Sequence, residues 1–466
     1  MGRAAYWIKR NKFVLMLAVI VLIGLFFRVY GLNEREMWID EHISALAAEN
    51  ILHKGVPRFD SGFFYNRAFV FHYLEAFFLL VFGDIGIRLL SVVFGVLTII
   101  LAYFIGKEYE KAAGICASLF VSLLFIEIWY SGMARFWQMF QFMLFLSLFL
   151  LYKTEKNEKY GYWAVLSLLI LIDTHIAGLV LMPVFVYVFT FAFFRGKKNW
   201  KLIVIPVLLG LYALNKVINL YPNYIDFSYL YAERYASALF FRLRGLALIS
   251  LLGIPLAFVK NKRITLILLI PSLLLILGLF ALKVFAFRYI YFCLFLVCLF
   301  IGVLFSYLYR MNKALFFIVL AASLIYPSNL LDDGSLIVVR PENIELNLYS
   351  EPLLDYSVSE VSEERIMNSE IVTLWTAGTA WNFKNPGYFI PFSLNGLESG
   401  YFVRNERDVY TGAEIFDFQI NDFIYIEDDF GYGKLNESAR EKVSKIKNTC
   451  LLIEETENVR FYECKD

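Results

Sequence analysis

Long apolar segments recur along the first two-thirds of this chain, with only short polar stretches between them. Hydrophobic residues make up 59% of the 466 residues, and the mean hydropathy is +0.61. A soluble domain of this length would not tolerate so many apolar runs, whereas helices that cross a bilayer require them. The sequence therefore predicts a polytopic α-helical protein embedded in a lipid bilayer.

About eleven segments are apolar and long enough to be predicted as transmembrane helices. Basic residues precede the first one, as in a signal peptide, but this segment is long for a signal core and no small-residue cleavage site follows it. We therefore interpret it as a retained transmembrane helix. The eleven predicted spans are residues 13–30, 88–106, 113–131, 136–152, 161–174, 176–194, 202–218, 244–259, 264–282, 288–306 and 314–327.

The basic residues between these segments predict the orientation. With eleven spans, six basic clusters fall on one side of the membrane, and the positive-inside rule makes that side cytoplasmic. We therefore expect the protein to lie in the plasma membrane, with its N-terminus in the cytoplasm and its C-terminal region outside the cell membrane. The clusters are residues 3–12, 107–111, 153–159, 195–201, 260–263 and 310–313.

This alternation works only if residues 68–82 do not cross the bilayer. The segment has fifteen residues, including His72 and Glu75, and a span needs about 20. We expect it to be a helix in the outer interface with its Phe and Leu side chains in the lipid. The first outer loop, residues 31–88, then carries the candidate catalytic residues.

The charge distribution divides the chain into two parts. Residues 328–466 contain 26 of the 42 acidic residues and 12 of the 43 basic ones, so the membrane part is basic and the C-terminal part acidic. We predict a transmembrane domain over residues 1–327 and an extracytoplasmic domain over residues 328–466, which is long enough to have its own core.

The C-terminal part has the pattern of a small α/β domain. Residues 335–339, 371–375, 423–426 and 451–453 are strand-like, residues 362–368 and 437–447 are helical, and Asn436 is a candidate N-cap. The last strands should form a hairpin centred on Glu457, which makes Cys450 and Cys464 cross-strand partners. They are either a disulfide or two unpaired strand residues.

The predicted topology brings several ionisable residues together near the outer surface. A transporter would be expected to place charged residues near the bilayer centre, and here they cluster at the outer ends of helices. Snorkelling to the headgroups is the alternative explanation for each single cation, and a helix N-terminus also favours an acidic pair. The residues are Asp40, Glu41, Arg67, Arg88, Arg135, His175 and Arg288.

The order of motifs resembles the N-terminal module of GT-C glycosyltransferases. Within that superfamily it is similar to the dolichyl-phosphate-mannose–protein mannosyltransferases and their prokaryotic relatives, which include the aminoarabinose transferases of lipid A. The resemblance covers residues 13 to about 180, and both prolines of the family's Lys-Pro-Pro-Leu motif are replaced. The matching residues are Asp40-Glu41, Arg67-Ala68-Phe69-Val70 at the Lys-Pro-Pro-Leu position, Arg88, Ala134-Arg135 and His175-Ile176-Ala177-Gly178.

The resemblance implies an inverting transfer of a sugar from a polyprenyl monophosphate donor to an acceptor hydroxyl on a protein, lipid or glycan. Such a reaction needs a carboxylate base, for which Asp40 is the first candidate, while Glu41 orients the acceptor or replaces it as the base. Cationic groups stabilise the leaving phosphate, and Arg88 is the first candidate. Further candidates are Arg67, Arg135 and Arg288 for the phosphate, and His175, Tyr65 and His42 for substrate binding.

Other functions and ligands are less well supported by the sequence. No two histidines have a metal-ligand spacing, so no obligatory metal is expected, although a divalent ion stays an alternative. No nucleotide-binding fingerprint occurs, and no nucleic-acid partner is expected. A polymerase, ligase or flippase of lipid-linked oligosaccharides would also have many spans and outer arginines, but would not need the early Asp-Glu pair.

Overall fold

The computed structural model describes most of the membrane part and the core of the C-terminal part. It covers residues 3–30, 32, 37–194, 246–280, 287–325, 353–354 and most of 358–389 and 422–465, with shorter pieces within 204–214, 232–237 and 403–413. The predicted strand 335–339, the candidate cap Asn436 and the predicted boundary at residues 327–328 lie outside these residues.

The membrane part is a bundle of helices. Most of the predicted spans coincide with described helices, because their apolar runs favour helical hydrogen bonding inside a bilayer. The helices are α1 (Arg3–Val29), α2 (Ile39–Lys54), α3 (Phe69–Phe82), α4 (Gly86–Gly106), α5 (Lys111–Leu123), α6 (Phe125–Ser131), α7 (Trp137–Thr154), α8 (Lys159–Thr174), α9 (Met182–Phe194), α10 (Ala232–Ser237), α11 (Leu246–Phe280), α12 (Phe287–Met311) and α13 (Lys313–Ile325), with a 3₁₀ helix at Ile176–Leu181 between α8 and α9.

Four described helices are by themselves long and apolar enough to cross a membrane, namely α1 from Arg10 onward, α4, α11 and α12 from Arg288 onward. The pair α5 and α6, bent by 63° at Leu124, makes a fifth if it is counted as one span. Helix α11 has non-helical backbone at Asn261, between the predicted spans 244–259 and 264–282. The polytopic helical architecture is confirmed, whereas the number of eleven spans is not.

Helix α3 connects the first outer loop to the bundle. It has 14 residues and is apolar, but it is shorter than the helices that qualify as spans. One face, which includes Phe71 and Glu75, is buried, while Phe77 and Leu80 on the other face are exposed. This two-sided pattern agrees with the predicted interface helix, whose depth in a bilayer stays a prediction.

The C-terminal part contains a five-stranded mixed sheet. Its strand order is β4-β3-β7-β9-β8, with β3 parallel to β4 and β7, and β9 antiparallel to β7 and β8. A disulfide joins Cys450 and Cys464 on the last two strands. The described elements are β1 (Met37–Trp38), β2 (Leu353–Leu354), α14 (Glu360–Met367), β3 (Ile371–Thr373), α15 (Thr376–Phe383), β4 (Tyr388–Phe389), β5 (Val403–Arg404), β6 (Arg407–Asp408), β7 (Phe423–Asp428), α16 (Glu437–Thr449), β8 (Cys450–Glu455) and β9 (Val459–Cys464).

The C-terminal part packs on the first outer loop. Strand β2 pairs antiparallel with β1, which directly precedes α2. Helix α15 packs on α2, where Lys384 lies 3.3 Å from the Glu49 carboxylate. The helix with the candidate base is therefore held between the membrane bundle and the C-terminal part.

Candidate active site

Helix α2 presents Asp40 and Glu41 in its first turn. Its start is fixed by Glu41, whose Oε2 accepts a hydrogen bond from the Trp38 backbone N–H at 2.9 Å, and it ends at Gly55, whose φ is +74°. Successive side chains on a helix point about 100° apart. The two carboxylates accordingly meet different partners.

Glu41 is a buried anchor between three segments. Its carboxylate accepts from Arg88 Nε at 3.1 Å and Nη2 at 3.3 Å, and from the Ala134 N–H at 2.6 Å. Burial alone would raise the pKa of Glu41, but the charge of Arg88 and the backbone N–H groups of Ala134 and Trp38 lower it below its ordinary value. Glu41 is therefore a stable carboxylate inside the protein.

Arg88 is buried at the start of α4 and faces Glu41. Besides the two bonds to that carboxylate, its Nη1 donates to the Leu32 carbonyl at 2.8 Å. These contacts link the end of α1, the start of α2 and the start of α4. The guanidinium thus fixes the two ends of the first outer loop to the start of α2. A role of Arg88 in binding the donor phosphate stays a prediction.

Asp40 is the accessible carboxylate of the pair. Its side chain is 24% exposed, and Oδ2 lies 3.1 Å from Arg135 Nη2. Arg135 is buried and also donates from Nη1 to the Asp40 carbonyl at 3.1 Å and to Ser44 Oγ at 2.8 Å. Tyr65 is buried beside it, with the hydroxyl 3.5 Å from Arg135 Nη1. The Asp40 carboxylate is thus accessible to solvent and is held in one orientation by Arg135.

His175 lies close to three of the arginines that the sequence singled out as candidates for binding the phosphate. It is enclosed by aromatic rings, with centroids of Phe140 at 5.5 Å and Trp137 at 5.8 Å. Burial lowers its pKa to about 3, assisted by the charges of Arg67, Arg288 and Arg135. His175 is therefore neutral at physiological pH, and its Nδ1 accepts a hydrogen bond from the Ala177 N–H at 3.1 Å.

Arg67 is exposed immediately before α3. The next residue, Ala68, has φ +48°, which a proline ring could not adopt. This explains why a Pro does not occur at that position here. Asp173 accepts from the backbone N–H of Val70 at 2.9 Å, which ties the start of α3 to the end of α8.

His42 is fully buried under the C-terminal part, with Nε2 3.4 Å from Asn382 Nδ2. Its surroundings are those of a packing residue, and its assignment to substrate binding stays a prediction. Among the described residues, no group of three or more His, Cys, Asp and Glu is arranged to hold a metal ion.

Sequence reasoning did not assign a role to the buried pair His72 and Glu75. His72 Nδ1 lies 2.8 Å from Glu75 Oε2, and both side chains are fully buried. Burial lowers the pKa of His72 to about 3, so its imidazole is neutral at physiological pH. Burial raises the pKa of Glu75 well above its ordinary value, which favours the protonated carboxyl group. Their spacing of three residues on a helix would have been the signal.

Arg28 and Glu127 are further buried residues that the prediction missed. Arg28 donates to the carbonyls of Val121 at 2.9 Å and Ser122 at 3.2 Å, just before the bend between α5 and α6. Glu127 in α6 accepts from Gln141 Nε2 at 2.9 Å. A cation inside the first apolar run was the available signal for Arg28. These groups stabilise the bend that brings Ala134 and Arg135 to α2.

Solved structures with the same fold were found by structural comparison. The chain is similar to ArnT from Cupriavidus metallidurans bound to undecaprenyl phosphate, with a TM-score of 0.65, 10% identity and coverage of 97% of this chain and 98% of that one. It is also similar to the oligosaccharyltransferase AglB from Archaeoglobus fulgidus in complex with an inhibitory peptide and a dolichol-phosphate, with a TM-score of 0.55, 12% identity and coverage of 91% and 70%.

These similarities establish that the chain has the fold of these two proteins, in agreement with the predicted polytopic helical architecture. No family profile matches the chain, and no curated protein matches it in sequence. The described helices agree with an integral membrane protein, whereas the orientation of its ends stays a prediction.

Proposed function

We propose that the chain is a membrane glycosyltransferase that moves a sugar from a polyprenyl monophosphate to an acceptor hydroxyl. The observation that carries the proposal is the pairing of the partly exposed Asp40 with Arg135, close to His175 and to the charges of Arg67 and Arg288. The GT-C fold, shared with one protein solved with undecaprenyl phosphate and another solved with dolichol-phosphate, supports the donor class.

Asp40 acts as the general base in this proposal. Its carboxylate takes the proton of the acceptor hydroxyl while the oxygen attacks the anomeric carbon from the side opposite the phosphate, which inverts that carbon. The bond from the anomeric carbon to the phosphate oxygen breaks, and the lipid phosphate leaves with the electron pair. Arg135 orients Asp40, and the positive charges of the neighbouring arginines Arg67 and Arg288 stabilise the leaving phosphate.

The division of roles between the two acidic neighbours follows from their burial. Glu41 is 1% exposed and receives hydrogen bonds from Arg88, Ala134 and Trp38, so an acceptor cannot reach it without breaking them. We assign Glu41 and Arg88 to holding the site together. The reaction takes place on the outer membrane face in this proposal, and the acceptor is a protein, lipid or glycan.

The test compares Asp40→Asn with Asp60→Asn. Both aspartates lie in the first outer loop and are ion-paired, Asp60 with Lys54 at 2.6 Å, but only Asp40 is the proposed base. Purified protein is incubated with radiolabelled polyprenyl-phosphate hexoses and pentoses, with cell-envelope extract as acceptor. We expect Asp40→Asn to lower the transfer rate by roughly 10²–10⁴-fold, while Asp60→Asn stays near the wild type.

A wild-type rate in Asp40→Asn together with an inactive but folded Glu41→Gln would reverse the two roles. Activity in both variants would refute the carboxylate base. A flippase would move the labelled lipid across vesicles without forming labelled product, which would contradict the transferase itself.

A further inference from the structure

Two tryptophans flank the proposed catalytic residues. Trp38 lies two residues before Asp40, and Trp137 lies two residues after Arg135. Their side chains are 4% and 3% exposed, so both indoles are inside the protein. No role for either residue was predicted from the sequence.

Both indole rings contact the guanidinium of Arg288. Its central carbon lies 5.2 Å from the ring centre of Trp38 and 5.5 Å from that of Trp137. Trp137 is also 5.8 Å from the guanidinium carbon of Arg135. Both rings therefore lie against Arg288, to which we assign the lipid phosphate, and Trp137 also lies close to Arg135, which orients Asp40.

Three buried N–H donors in this cluster have no hydrogen-bond partner in the part of the chain that the structure describes. They are the indole N–H groups of Trp38 and Trp137 and the Nε–H of Arg135. Buried donors are costly to leave unpaired, and most are satisfied in native proteins. A group of unpaired donors beside cations is complementary to an anion with several acceptor oxygens.

We propose that Trp38 and Trp137 bind the donor's phosphate through their indole N–H groups, with their rings stacked against Arg288. The inference rests on the proposed function, because it names two further ligands of the same lipid phosphate. It also gives the tryptophans a role beyond packing, since an indole N–H is a donor only and cannot accept from the arginines.

The test replaces each tryptophan by phenylalanine, which keeps an aromatic ring and removes the N–H. Trp163→Phe is the matched control, because that side chain is 60% exposed on α8. Binding is measured for two probes, a polyprenyl phosphate and the same polyprenol without phosphate. We expect Trp38→Phe and Trp137→Phe each to raise the Kd for the phosphate roughly tenfold, with the polyprenol unchanged.

Equal weakening for both probes would show a packing role and overturn the inference, as would an unchanged Kd for the phosphate. A wild-type protein that binds the two probes equally would instead refute the proposed function. If a variant fails to fold, the inference is tested on the wild-type protein by NMR, through the indole N–H resonances of a ¹⁵N-labelled sample. Two of them should shift when the polyprenyl phosphate, but not the polyprenol, is added, and resonances that stay in place would overturn the inference.

Discussion

Asp40 and Glu41 are adjacent in the sequence, but their side chains have different surroundings. Glu41 is buried in contact with Arg88, whereas Asp40 is partly exposed beside Arg135. Removing one partner of a buried ion pair leaves the other charge uncompensated, which costs far more than breaking a surface pair. Substitution of Glu41 should therefore mainly lower the stability of the protein, whereas substitution of Asp40 should mainly lower the transfer rate.

Glu41→Gln should destabilise the protein. We expect a loss of about 3–5 kcal/mol in the free energy of unfolding, because Arg88 keeps its charge in a buried site. The control is Glu49→Gln, which removes the more exposed pair with Lys384 and should cost about 1 kcal/mol or less. Chemical denaturation in detergent measures both, and equal small losses would contradict the anchor role of Glu41.

At the scale of elements, close backbone contact fixes how the helices of the bundle cross. A Cβ atom added at Gly253 in α11 would lie 2.0 Å from the Phe300 carbonyl oxygen in α12. Real Cβ atoms do not approach a backbone atom so closely, so the two helices would have to separate. The glycine allows the close packing of this pair.

Gly253→Ala should therefore lower the melting temperature, with a cost of about 1–3 kcal/mol for overpacking. Gly278→Ala, in the same helix, is the control because an added Cβ there has no atom within 4 Å among the described residues. That change should be neutral or slightly stabilising, since alanine favours helix more than glycine does. If Gly253→Ala melted like Gly278→Ala, the helix contact would be looser than described.

At the scale of the whole molecule, α2 lies between the helix bundle and the C-terminal part. The first outer loop and the C-terminal part must therefore be on the same side of the membrane. The pairing of β1 with β2 and the packing of α15 on α2 make this contact. The basic clusters predict that this side is the outer one. The contact and the charge rule are independent, so the orientation can be tested directly.

A cysteine at Lys445 should be labelled in intact cells by a membrane-impermeant thiol reagent, whereas a cysteine at Lys156 should be labelled only after permeabilisation. Both side chains are well exposed, at 73% and 64%. Background labelling should be low, because the free cysteines are buried and the other two form the disulfide. Labelling of position 156 and protection of position 445 in intact cells would reverse the orientation.

The sequence by itself determined the features that depend on local pattern. Apolar runs gave the helices, because backbone groups in lipid must bond within the segment. The change of charge near residue 328 indicated the acidic C-terminal part, and the symmetry of the last hairpin brought Cys450 and Cys464 opposite each other. The motif order resembles that of GT-C glycosyltransferases, and the chain shares the fold of ArnT.

Only the tertiary structure decided how the candidate residues are divided. Asp40 meets Arg135 and Glu41 meets Arg88 across separations of 95 and 47 positions, and no periodicity encodes such contacts. They depend on the bend after α5, on the crossing of α3 and α4, and on the packing of α15. The same long-range packing buried the indole N–H groups of Trp38 and Trp137 next to Arg288, because a side chain's partners are set by which helix surfaces meet rather than by its neighbours in sequence.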